Sequence, residues 1–152
     1  MALKSDRYEA QTDISFFYNA GTATRGGVVV LDAASASGAA LDQGVNLVKY
    51  KLATATDVPV GILLNDVVDK DLTRTHLNWF KDEVQKGGKV TILTKGFVVT
   101  DQISGNPTAG QVAYLADSGL IAGTQDGTAP AIGRFLSTKD ADGFAKVSIN
   151  LP

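Results

Sequence analysis

Phe144-Ala145-Lys146-Val147-Ser148-Ile149-Asn150-Leu151 reads apolar and polar by turns. Ala145, Val147, Ile149 and Leu151 fall on one face, and Lys146, Ser148 and Asn150 on the other. A period of two is the mark of a strand with one face in a core and one in water. Asn46–Leu52 repeats the pattern, with Val48, Tyr50 and Leu52 inward and Lys49 and Lys51 outward. Lys89–Thr94 starts a third strand, passes Gly96 and resumes as Phe97-Val-Val-Thr100. A glycine inside a strand pattern points to a bulge or a sharp bend. Gly26–Leu31, Val58–Leu64, Gln111–Leu115, Ala131–Ser137 and Ile14–Tyr18 are further short strand candidates. Pro59 has no N–H for a ladder, so its strand lies at an edge or starts there.

Turn signals separate these runs at the spacing of a sandwich or barrel. They are Gly21–Gly27, Ala33–Ala40, Gly105-Asn-Pro, Asp117-Ser-Gly119, Gln125-Asp-Gly127 and Asp140-Ala-Asp-Gly143. One segment differs. Asn65–Lys89 carries five basic and five acidic residues and no glycine before Gly87-Gly88. Leu72, His76 and Phe80 recur every four residues, which predicts either a short amphipathic helix over Leu72–Gln85 or an ordered loop across the sheet. Residues 1–20 read as an extended arm, and residues 21–152 as a single barrel-like domain. The predicted class is therefore all-β, a compact barrel or sandwich.

Composition narrows the chemistry. The 152 residues hold 14 Lys+Arg against 16 Asp+Glu, a net charge of -2. No basic excess points to nucleic acid or to an anionic membrane. Cysteine is absent and His76 is the sole histidine, so thiolate metal sites, cysteine nucleophiles and paired-histidine sites are excluded. Glycine (16) and alanine (19) are abundant, as in a turn-rich globular protein. The longest apolar runs are four or five residues, too short for a signal-peptide core or a membrane helix. The expectation is a soluble protein made in a cytoplasm.

Each catalytic constellation fails on its own spacing. Gly21-Thr-Ala-Thr-Arg-Gly-Gly27 lacks the Gly-Lys-Ser/Thr ending of a phosphate loop, and a strand pattern follows it instead of a helix. Asp140-Ala-Asp-Gly143 opens like a calcium loop, but position twelve is Leu151 instead of a glutamate. His76 has Asp66, Asp69 and Asp71 nearby as orienting carboxylates, yet no Gly-x-Ser-x-Gly elbow supplies a nucleophile. The Asp69/Asp71 and Asp82/Glu83 pairs sit among Lys and Arg, as on a solvated face. No catalytic residue, cofactor site or metal site is expected. Trp79-Phe80 with Arg74 and Lys81 combines aromatics and cations, a mixture of interface hot spots, although Trp79 also fits as a cap on the core.

Several stretches resemble the small head decoration, or cement, proteins of tailed bacteriophages. They are Gly26–Ala40, Lys51–Ile62 with its Val-Pro-Val-Gly-Ile step, Gly88–Thr100, Pro107–Leu115, Ser118-Gly-Leu120 and Ile132–Leu136. The Asn65–Gly87 insertion departs from the shortest members. The resemblance implies a non-enzymatic virion protein on the outer face of a phage head, bridging major capsid subunits, self-associating as a homotrimer and binding neither nucleic acid nor membrane. Expected contact residues are Arg7, Tyr8, Phe16 and Phe17 in the arm, and Arg74, His76, Trp79 and Phe80 in the charged segment. A phage fibre or tail module that recognises a carbohydrate or another virion protein is the rival reading.

Overall fold

The C-terminal alternation is a strand in the structure, and its buried and exposed residues fall as the period of two requires. The computed structural model describes residues 3–21, 23–32, 46–50, 57–64, 83–84 and 87–151. In chain order the strands are β1 (Tyr8–Asp13), β2 (Phe17–Tyr18), β3 (Ala23–Thr24), β4 (Val28–Leu31), β5 (Leu47–Tyr50), β6 (Pro59–Leu63) and β7 (Glu83–Val84). They continue with β8 (Ile92–Thr100), β9 (Ile103–Ser104), β10 (Val112–Leu115), β11 (Ile121–Ala122), β12 (Ala131–Phe135) and β13 (Ala145–Asn150). A 3-10 turn, Asp117–Gly119, precedes β11. The class is all-β.

Among the described residues, eleven strands form one mixed sheet in the order β2-β5-β4-β6-β8-β13-β12-β10-β11-β9, with β1 added on β8. β3 and β7 make a separate pair. The large sheet is not closed: its end strands, β2 and β9, do not pair with each other among the described residues. The expected barrel is therefore an open sheet. Both ends consist of two-residue strands held in parallel pairing, too short to carry a closing ladder.

Two apolar clusters lie on opposite faces of the central strands. Val28, Val30, Ile62, Leu64 and Leu93 join the larger one, with Val98, Phe135, Val147 and Ile149. Val29, Leu63 and Ile92 join the smaller one, with Tyr18, Val48 and Val90. This is why β4, β6 and the start of β8 are continuous apolar runs while β13 alternates. Pro59 opens β6, where a missing N–H costs least.

Residues 3–13 run antiparallel along β8, from the Leu3–Thr100 bridge to the Asp13–Ile92 pair. Leu3 is buried in the larger cluster. Glu83 and Val84 pair with Thr24 and Ala23, so the charged segment ends in a strand, not in a helix running to Gln85. The remainder of Leu72–Gln85 lies outside the described residues.

Gly96 confirms the irregularity but moves it to a neighbour. The β13 register passes through Gly96 without a break, whereas β1 slips between Glu9 and Gln11. Gly96 has φ +142°, and a Cβ there would run into the Tyr8 carbonyl oxygen. Three substitutions separate strain from collision. Gly96→Ala is expected to lower stability by roughly 3–5 kcal/mol, since backbone strain and a backbone clash add. Gly110→Ala, at φ +92° with open space, is expected to cost only about 1–2 kcal/mol. Gly21→Ala, with neither constraint, should stay within about 0.5 kcal/mol. Denaturant midpoints of the three proteins give the ranking, and equal losses at Gly96 and Gly110 would remove the collision.

Candidate functional site

Directly opposed residues in neighbouring strands share a face. Starting at β10, Val112 opposes Arg134, Arg134 opposes Ser148, Ser148 opposes Phe97 and Phe97 opposes Tyr8. One row of side chains thus crosses five strands. It lies on the face away from the larger cluster, because Val98, Val147 and Ile149 point the other way. Its margins are wet: Tyr8 is 60% exposed and Val112 37%. Lys146 opposes Val99 on the next row, and Lys95 opposes Asn150 on the other side.

The aromatic end of this row is built by contacts, not by burial. The Tyr8 and Phe97 rings are 6.0 Å apart and tilted by 31°. Lys146 Nζ sits 3.9 Å above the Phe97 ring, a cation–π distance. The same ammonium is 3.9 Å from Asp6. Arg7 pairs with Glu9 at 2.8 Å. Arg7 and Tyr8 therefore stand in the segment that borders the sheet's outer face.

The other predicted contact residues are elsewhere. Phe16 packs half-buried against the smaller cluster. Phe17 is half-buried in β2, opposite Leu47 and bridged to Lys89. Arg74, His76, Trp79 and Phe80 lie outside the described residues. Phe97, Lys146, Arg134 and Lys95 were not singled out from sequence. Their signal was present: alternation around Val98 puts Phe97 outward, and alternation around Val147 puts Lys146 there.

The tempting loops are occupied by structure. Gly26 N–H donates to Leu63 O and Gly27 N–H to the Tyr50 hydroxyl, so these amides do not cradle a phosphate. Tyr50 in turn donates to Thr24 O, and burial raises its ionisation well above the usual tyrosine range. Gly119 lies against the Tyr50 ring, where a Cβ would collide with it. Among the described residues, no group of three or more His, Cys, Asp or Glu side chains is placed to hold a metal ion. No helix among them is long and apolar enough to cross a membrane.

Asp140 organises the turn into β13 and anchors the N-terminal segment. Its Oδ1 accepts the Phe144 N–H at 2.9 Å and the Asp142 N–H at 3.0 Å. Its Oδ2 accepts Lys4 Nζ at 3.2 Å, and that ammonium also lies 4.5 Å from the Phe144 ring centre. Lys4 N–H donates to Val99 O. Calcium is not needed to explain Asp140–Gly143.

A model of the phage cement family, described as structural cement protein (E217 gp24/Pam3 gp6), matches residues 8–150. No curated protein matches the chain.

The Phe144 N–H does most to hold the Asp140 carboxyl below its ordinary value of 3.8, and Lys4 adds to it. A value depressed by folding means that this stabilisation is complete above the ordinary carboxylate value and is lost as the pH falls through the folded one. The Lys4 clasp should therefore persist through the ordinary carboxylate range and loosen only in stronger acid. Asp140→Asn keeps an acceptor for the turn but removes the charge. Amide exchange at Lys4 is expected to be faster in this variant at neutral pH and less sensitive to acid. An unchanged acid response would dissociate the clasp from Asp140.

Proposed function

The chain belongs to the structural cement family of bacteriophages, and from that premise we propose that it binds the outer surface of the phage capsid and stabilises it by bridging major capsid subunits. It is a structural protein of the virion. The supporting observation is the reach of the family match, which extends from β1 to the end of β13 and so takes in the whole open sheet. In this reading the protein is made in the host cytoplasm, self-associates as a homotrimer and performs no catalysis.

Bridging requires a body that does not yield and a surface that fits a neighbour. Central strands buried on both faces supply the first. The row ending in Tyr8 is our candidate for the second, because exposed aromatics with cations nearby are the side chains that dominate interfaces. The N-terminal residues 1–20 serve as the arm that carries Tyr8 to that face. The charged segment with Arg74, His76, Trp79 and Phe80 is a further contact region on the same proposal.

Density-gradient purification of virions tests the role directly. The chain is expected to follow the heads at a high, fixed ratio to the major capsid protein, and sedimentation of the purified protein is expected to give a trimer. A few copies per particle would instead assign it to the tail or a fibre, and absence from particles would overturn the virion role. Deleting the arm cannot separate docking from folding, because Leu3→Ala alone is expected to cost about 2–5 kcal/mol of stability. Tyr8→Ser is the separating variant: it should change the melting temperature little and weaken head binding. If it lowers stability and leaves binding intact, Tyr8 is structural.

A further inference from the structure

β8, β10, β12 and β13 contain three cations, Lys95, Arg134 and Lys146, and no carboxylate. All three point to the outer face, since they oppose Asn150, Ser148 and Val99 there. The chain as a whole is slightly acidic, at -2. On these four strands the outer face therefore carries cations and no acid. Lys146 has a use inside the molecule, over Phe97 and near Asp6. Lys95 and Arg134 pair with no carboxylate among the described residues.

Beside these cations the face carries exposed aliphatic groups. Val112 opposes Arg134 directly. Leu136, 48% exposed, follows two residues after Arg134, and its N–H donates to Lys146 O, which continues the ladder and keeps Leu136 on the same face. Tyr8 closes the far end.

We infer that this outer face docks a carboxylate-bearing protein segment, and that Lys95 and Arg134 are its specificity-determining cations. The inference rests on the cement reading and names the chemistry of the capsid surface it requires. Cations with no carboxylate partner among the described residues, set at a mixed apolar face, select partners by charge, and charge complementarity sets register and association rate more than raw affinity. Arg134 offers a planar fork that takes a carboxylate through two hydrogen bonds. A nucleic acid is the weaker fit, because phosphate binding calls for a dense basic stripe, and here three cations are spread over three strands beside aliphatic groups.

The test uses the full chain and heads of the same phage stripped of it. In one protein Lys95→Glu and Arg134→Glu are combined; in a second, both become Gln; in a third, Lys95→Arg and Arg134→Lys are combined. Half-saturation of heads is measured by co-sedimentation across a salt series, with melting curves as the folding control. The charge-reversed protein should bind roughly tenfold or more weakly than wild type. The Gln protein should fall between them with a flatter salt dependence, and the charge-conserving protein should stay near wild type. Equal binding by wild type and the Gln protein would overturn the inference and leave the cement role standing. Failure of the wild type itself to bind heads would overturn both. A self-association defect with head binding intact would assign the face to a second copy, and duplex DNA binding lost in the Gln and charge-reversed proteins with head binding intact would assign it to nucleic acid; either result rejects the acidic protein partner.

Discussion

Everything in this molecule leans on β8. Its first two residues pair with β6, its last six with β13, and β1 lies along Ile92 through Phe97. Three ladders therefore share one backbone. Ile92 faces the smaller apolar cluster while Leu93 and Val98 face the larger one. The strand is thus where both cores and both halves of the sheet meet. Gly96 is the cost of this crowding, since only a residue without a Cβ lets β1 approach so closely.

The exposed side of the same strand carries the proposed docking face. Phe97 can lie outward because Val98 is committed inward, and its ring then becomes a platform for Tyr8 on one side and Lys146 on another. The proposed docking face is therefore the outer side of the strand on which three ladders converge. That placement suits a static contact: a rigid patch loses little side-chain and loop entropy when a partner arrives.

Much of this was legible in the residues. Alternation located β13 and the half-buried faces, apolar runs located β4 and β6, and Pro59 marked a strand start. The long-range pairing was not legible. Tyr8–Asp13 reads as a polar arm because none of its residues from Tyr8 to Thr12 is buried, and strand identity there comes from hydrogen bonds to β8. Closure of the sheet was likewise beyond reach, because it depends on whether two end strands meet, which no local pattern encodes. The contact row was half legible. Each outward residue follows from its own strand's alternation, but the row exists only once register lines up five strands. Arg74, His76, Trp79 and Phe80 remain a reading of the sequence.

The direction of the ladders has a mechanical consequence. β1 and β13 both run antiparallel to β8, so they are parallel to each other. Leu3 meets Thr100 at one end of β8, while Leu151 N–H bonds Thr94 O toward the other. A tension that draws the two ends of the chain apart is then carried along the strands. The hydrogen bonds of both ladders are loaded together in shear, instead of being peeled open one at a time. Rupture under such a load is governed by the unfolding barrier and not by equilibrium stability. A shell component stretched by an expanding container is strongest when its own seams lie along the pull.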